Sequence, residues 1–144
     1  MLPKELFDLM RELSIFPAVL ATVDAGGDMH QTFITWLYPI EQNLIRMALS
    51  SNSKSAQNMI QTQKASLFFF APNTAIACYG SVRLVKERIE SVKFPVNVFE
   101  MEVQKVENCL FPGGTVLGVV PFMHTGNLQK AAELDSLVLE ALKG

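Results

Sequence analysis

The stretch "SSNSKSAQNM", Ser50 to Met59, places four serines and two asparagines around one lysine. It follows "LIRMAL", an apolar run with the composition of a buried strand. Serine and asparagine before a helix serve as caps, and capping is one reading of the stretch. The other is anion binding. If Asn52 or Ser53 caps the helix, its first backbone N–H groups belong to Lys54, Ser55 and Ala56 and have no partner inside the helix. They sit at the positive end of the helix dipole. Hydroxyls from Ser50, Ser53 and Ser55 and the Lys54 ammonium would add donors, and small side chains let a phosphate approach the backbone. Arg46, inside the apolar strand, would bring a second positive charge if its side chain turned the same way.

Other chemistry is absent from the sequence. There is no Ser nucleophile elbow, since "YGSVR" carries only one of the required glycines, and no Walker lysine loop or G-x-G-x-x-G. The two histidines, His30 and His124, have no partner at metal-ligand spacing and read as ordinary strand or loop residues. Cys78 and Cys109 are far apart, without zinc-type spacing, and fit two buried thiols in a reducing cytosol. The carboxylates spread over helices and the late strand as solvated faces. Demanding chemistry here would have to come from a cofactor.

The elements that must position these residues follow from periodicity. "MLPKELFDLMREL" is an amphipathic helix with Leu6, Phe7, Met10 and Leu13 on one stripe. "FPAVLATVD" is a short strand, "AGGD" a turn, and "MHQTFITWLYPI" the returning strand. "EQN" turns the chain into "LIRMAL". A short helix carries Ala56, Met59 and Ile60. Strands follow in "KASLFFFAPN", in "AIACYGSVRLVKE" with Gly80 interrupting the side-chain row, and in "PVNVFEMEVQKVENCLF". "TVLGVVPFM" reads as a strand or an extended segment. "NLQKAAELDSLVLEALKG" is a helix capped by Asn127 or Thr125 and ended by Gly144. Consecutive strands joined by tight turns predict a mainly β fold with flanking helices, an antiparallel barrel of about six to seven strands. Its 144 residues make one domain, 1–144.

Only 18% of residues are charged against 49% apolar, which leaves apolar surface to hide, as in a homodimer. The net charge of −2, with no basic block, argues against nucleic acid and anionic lipid as partners. The N-terminus has acids where a signal peptide has bases, and no run reaches the ~20 apolar residues of a membrane helix. The expected location is cytoplasmic.

Taken together, "FPAVLATVDAGGDMHQTFITWLYPI", "NLIRMALSSNSKSAQNM", "KASLFFF" and "CYGSVRLV" resemble the FMN-binding split β-barrel superfamily. The likeness is to its pyridoxamine-phosphate-oxidase-related group, and especially to small FMN-binding proteins. The matching residues are Ala21-Thr22-Val23-Asp24, Gly26-Gly27, His30, Thr35-Trp36, Lys54-Ser55, Asn58 and Tyr79-Gly80-Ser81, and the match covers roughly residues 1 to 107.

The resemblance implies a split barrel whose cofactor is FMN. Its phosphate would lie at Lys54 and Ser55, with Ser50, Ser51 and Ser53 in the phosphate loop and Asn58 on the following helix. The ring edge would run along Phe33, Ile34, Thr35 and Trp36, held by backbone groups, with Met47, Ala48 and Leu49 beneath the ring. It also implies a homodimer with FMN at the subunit boundary, covered by the partner's copy of the Phe111–Gly114 turn or of Phe122-Met123. The chain lacks the basic residues for a substrate phosphate and the Arg-containing C-terminus of the oxidase proper, so pyridoxamine-phosphate oxidation is not expected. What remains is a flavin-dependent oxidoreductase acting on a small molecule. The alternatives are a non-catalytic flavin carrier or electron-transfer module, and a barrel binding haem or a deazaflavin.

Overall fold

A computed structural model describes residues 1–144. The element order is α1 (Lys4–Leu13), β1 (Ala18–Val23), β2 (Met29–Ile34), β3 (Leu37–Glu41), β4 (Leu44–Ser50), α2 (Lys54–Thr62), β5 (Lys64–Ala71), β6 (Thr74–Lys86), β7 (Val96–Asn108) and α3 (Leu128–Lys143). The seven strands form one antiparallel sheet in the order β2-β1-β5-β6-β7-β4-β3.

Two strands that are consecutive in sequence, β2 and β3, lie at opposite edges of that sheet. Laid flat, seven strands would put those edges about 29 Å apart. Only Thr35 and Trp36 separate Ile34 from Leu37, and such a link spans at most about 11 Å. The sheet must therefore curl until its edges meet at these two residues. The backbone is continuous across the seam, while the edge strands are not hydrogen-bonded to each other; this is an antiparallel split barrel, open rather than closed. The sequence reading of "MHQTFITWLYPI" as one returning strand is corrected accordingly. The run changes partners in the middle, from β1 before Thr35 to β4 after Trp36, where the Ala48 amide donates to the Trp36 carbonyl at 2.9 Å.

The pleat sends alternate side chains to opposite faces. Inward go Ala18, Leu20, Ile45, Met47, Leu67, Phe69, Phe99 and Met101, packed with Leu6 and Met10 of α1 and Ala56 and Met59 of α2. Ile60, expected on the same helix stripe, is exposed. A second cluster lies on the outer face of β4 and β7, where Ala48, Val96 and Val98 meet Val138, Leu139 and Leu142 of α3. Asn127 caps α3 by accepting from the Lys130 amide. Residues 109–127, including "TVLGVVPFM", form no strand.

Gly80 sits at a register shift between β6 and β7, where a Cβ would run into the Glu102 carbonyl oxygen. Gly27, at φ +92, makes the turn before β2, and the Asp24 carboxylate accepts the Gly26 and Asp28 amides at 2.9 Å each. Of the two thiols, Cys78 is buried, and that burial pushes it up to about 12, whereas Cys109 is exposed. The expectation of two buried thiols is corrected, because β7 ends at Asn108 and leaves the core just before Cys109.

Candidate functional site

Where the edges meet, the seam leaves a cleft of about 200 Å³ lined by Phe33, Ile34, Thr35, Trp36, Ala48, Leu49 and Ser50. β2 and β3 are edge strands, so one side of each backbone is outside the hydrogen-bond ladder and is available to a ligand with alternating donors and acceptors. Met47 points away from the cleft into the core.

At Ser50 the cleft runs into the turn before α2. Ser53 caps the helix: its hydroxyl accepts the Ala56 amide at 3.1 Å and donates to the Ser50 carbonyl at 2.7 Å. The Ser53 amide also donates to the Ser50 carbonyl, the Ser51 amide to the Pro95 carbonyl, and the Gln57 amide to the Ser53 carbonyl. Ala56 is therefore not a free donor, contrary to the simplest reading of the stretch. The amides of Lys54 and Ser55 find no acceptor in the protein. The Ser55 hydroxyl is buried without a hydrogen-bond partner, and such burial is costly unless something arrives to satisfy it. Lys54 is half exposed, with its ammonium 3.8 Å from the Asp24 carboxylate. Ser50 and Asn52 side chains contact each other at 3.4 Å. Free amides, an unpaired buried hydroxyl and a cation at a helix N-terminus suit a phosphate.

Asn58 is placed differently. It is buried on the sheet side of α2 and donates to the Thr22 hydroxyl at 3.1 Å, while Thr62 donates to the Val23 carbonyl at 3.0 Å. These bonds fix α2 against β1 and so aim its first turn.

Arg46 does not turn toward the Ser-rich loop. It belongs to a charge ladder across three strands, because Arg46, Glu100 and Arg83 are register partners on one face. Glu100 accepts from Arg83 at 2.7 Å and from Arg46 at 3.1 Å, and Arg46 also donates to the Leu142 carbonyl at the end of α3. The Arg83 guanidinium, with Arg46 assisting against the effect of burial, holds the Glu100 carboxyl below its ordinary range.

Sequence reasoning also missed Asp135. It was expected on a solvated helix face, yet it is buried, accepting the Trp36 indole N–H at 2.7 Å and lying 2.7 Å from His124 Nε2. Its signal was weak: of the two acids inside "LDSLVLEAL", Asp135 falls on the stripe that also carries Val138, Leu139 and Leu142. Phe122, proposed as a partner's cover, packs edge-on against Phe33 of its own chain at 6.0 Å. No group of three or more His, Cys, Asp or Glu is placed to hold a metal ion, and no helix is long and apolar enough to cross a membrane.

No family model and no curated relative matches the sequence. Solved structures do match the fold. HupZ from Group A Streptococcus superposes with a TM-score of 0.63 at 17% identity, over 82% of this chain and 100% of that one. A pyridoxamine 5'-phosphate oxidase-like protein from Lactobacillus delbrueckii gives 0.59 at 18%, over 74% and 93%. An FMN-binding protein from Syntrophomonas wolfei gives 0.56 at 19%, over 75% and 88%. The chain has the split-barrel fold of these proteins. At these identities the likeness is one of fold, and split barrels serve more than one ligand: the haem storage protein HutZ from Vibrio cholerae matches at 0.56 and an F420 reductase at 0.54. The choice among ligands rests on the site of this split barrel.

Proposed function

We propose that this split barrel is an FMN-binding flavoprotein, acting as a homodimeric, flavin-dependent oxidoreductase on a small molecule. One observation carries the reading: the edge-strand cleft is continuous, through Ser50, with a helix N-terminus that keeps two free amides, a lysine and an unpartnered buried hydroxyl. A flat ring with hydrogen-bonding edges and a phosphate tail matches both ends. The phosphate would take the Lys54 and Ser55 amides, the Ser55 hydroxyl and the Lys54 ammonium, with Ser51 and Ser53 shaping the loop. The ring would lie along Phe33, Ile34, Thr35 and Trp36 over Ala48 and Leu49. Bound there, the flavin would supply hydride or electron exchange, while the chain orients it and limits water access.

The cleft is smaller than the ~300–1,000 Å³ of a complete ligand pocket, which fits a site finished by a second copy. The outer faces of β1, β5 and β6 offer the contact surface. Val19 and Phe68 are partly exposed cross-strand neighbours there, flanked by Phe33 and Phe70. Leu117, 93% exposed, and Met123, 78% exposed, extend the apolar area from the 109–127 segment.

The test is to incubate the purified protein with FMN, desalt it, record its absorption spectrum and identify by mass what denaturation releases. Retained flavin bands and released FMN support the reading. A colourless protein, or a Soret band from co-purified haem, overturns it.

A further inference from the structure

Two residues of the cleft wall, Trp36 and Phe33, are joined by side chains from the C-terminal third of the chain. Asp135, only 9% exposed, accepts the Trp36 indole N–H on one oxygen and contacts His124 Nε2 with the other, each at 2.7 Å. The His124 ring stands edge-on to Phe122 at 5.9 Å, and Phe122 stands edge-on to Phe33 at 6.0 Å. The contacts thus begin and end in the cleft. A carboxylate buried between a helix and a sheet is costly unless its bonds are met, and both oxygens here are met by groups tied to the cleft wall. An indole whose N–H is pinned by a carboxylate has one orientation; released, it turns about its side-chain bonds.

We infer that Asp135 is the positioning residue of the ring cleft: it sets the plane of Trp36 and, through His124 and Phe122, that of Phe33 at the other end of the same wall, so that the cleft selects a flat, fused aromatic ring. The inference rests on the flavin reading and assigns part of that site to the segment beyond residue 107. Aromatic walls at fixed angles favour a ring of matching thickness and exclude bulkier ligands.

Trp36 is the only tryptophan, so its near-ultraviolet circular dichroism reports its orientation without ambiguity. The experiment compares wild type, Asp135→Ala, Asp135→Asn and His124→Gln, each apo and titrated with FMN. In Asp135→Ala the Trp36 bands of the apo protein should collapse. Its FMN dissociation constant should rise by about tenfold or more, the scale of a lost charge-assisted bond, and emission of the bound flavin should recover. Asp135→Asn keeps an acceptor for the indole, so it should restore the Trp36 bands and most of the affinity even if the alanine variant fails to fold. His124→Gln should leave the Trp36 bands in place and loosen only the Phe122 side, seen as partial recovery of flavin emission. Wild type that binds FMN, with a folded Asp135→Ala that matches it in Trp36 bands, affinity and quenching, or with an Asp135→Asn that loses the Trp36 bands or a His124→Gln that leaves flavin emission unchanged, overturns this inference alone. Wild type that takes up no FMN overturns the flavin reading and this inference with it.

Discussion

At the scale of single residues, Lys54 and Ser55 make separable contributions. Lys54→Ala removes one charge-assisted contact to the phosphate and should weaken FMN binding by ~1–3 kcal/mol, read by calorimetric titration. The Asp24 carboxylate 3.8 Å away tempers that loss, since the ammonium is partly balanced before any anion arrives. Ser55→Ala should behave differently in the two states. Without ligand, it removes a buried hydroxyl that has no partner, so thermal stability should hold or rise by up to about 1 kcal/mol. With FMN, affinity should fall. A variant that loses stability and affinity together would show that the hydroxyl has a protein partner instead. These two residues were legible in the sequence because capping is local: Ser53 and the amides it leaves free lie within four positions. Asp135 was not legible, because its partner Trp36 is 99 positions away and only the curl of the sheet brings them together.

At the scale of elements, the strands are held in register by a few specific devices. Gly80 lets β6 and β7 approach at the register shift, and Gly80→Ala would drive a methyl into the Glu102 carbonyl. The expected cost is about 1–3 kcal/mol, measured by denaturant unfolding, with overpacking as the cause. The Arg46–Glu100–Arg83 ladder ties β4, β7 and β6 together and anchors the end of α3. Because Arg83 and Arg46 lower the Glu100 carboxyl in the folded protein, its stabilising effect is fully present above the ordinary value of 4.5. It is lost as pH falls through the lowered folded value. Glu100→Gln should therefore lower the melting temperature at neutral pH, and the gap to wild type should narrow as the solution is acidified below that range. The ladder could have been suspected from "LIRMAL", where a charge interrupts an apolar strand, but its partner depended on register. Likewise, nothing within "MHQTFITWLYPI" marks the break at Thr35-Trp36. β-branched and aromatic residues continue through it, and the change of partner is set by the sheet edges that it joins.

At the scale of the whole molecule, the order of elements was the most legible feature. Turn residues and alternating apolar runs set about six to seven strands and three helices in sequence, and tight connections made the sheet antiparallel; the seventh strand came from the division of "MHQTFITWLYPI" into β2 and β3, not from "TVLGVVPFM". Curling at the seam then follows from the two-residue link between opposite edges. The outer face of Val19 and Phe68, beside the exposed Phe33, leaves apolar surface in contact with water if the chain acts alone. Phe68→Glu should therefore convert a dimer to a monomer in sedimentation and, by leaving the cleft half built, weaken FMN binding while the monomer stays folded. A wild-type monomer that binds FMN fully would remove the second copy from the site. The central claim, that the start of α2 grips a phosphate while the seam holds a ring, is tested most directly by titrating the protein with FMN and with riboflavin side by side. The account predicts one FMN per chain with quenched flavin emission, and riboflavin binding weaker by at least about tenfold, since it lacks the charged group that the helix N-terminus holds. Equal affinity for the two, or binding of neither, would contradict it.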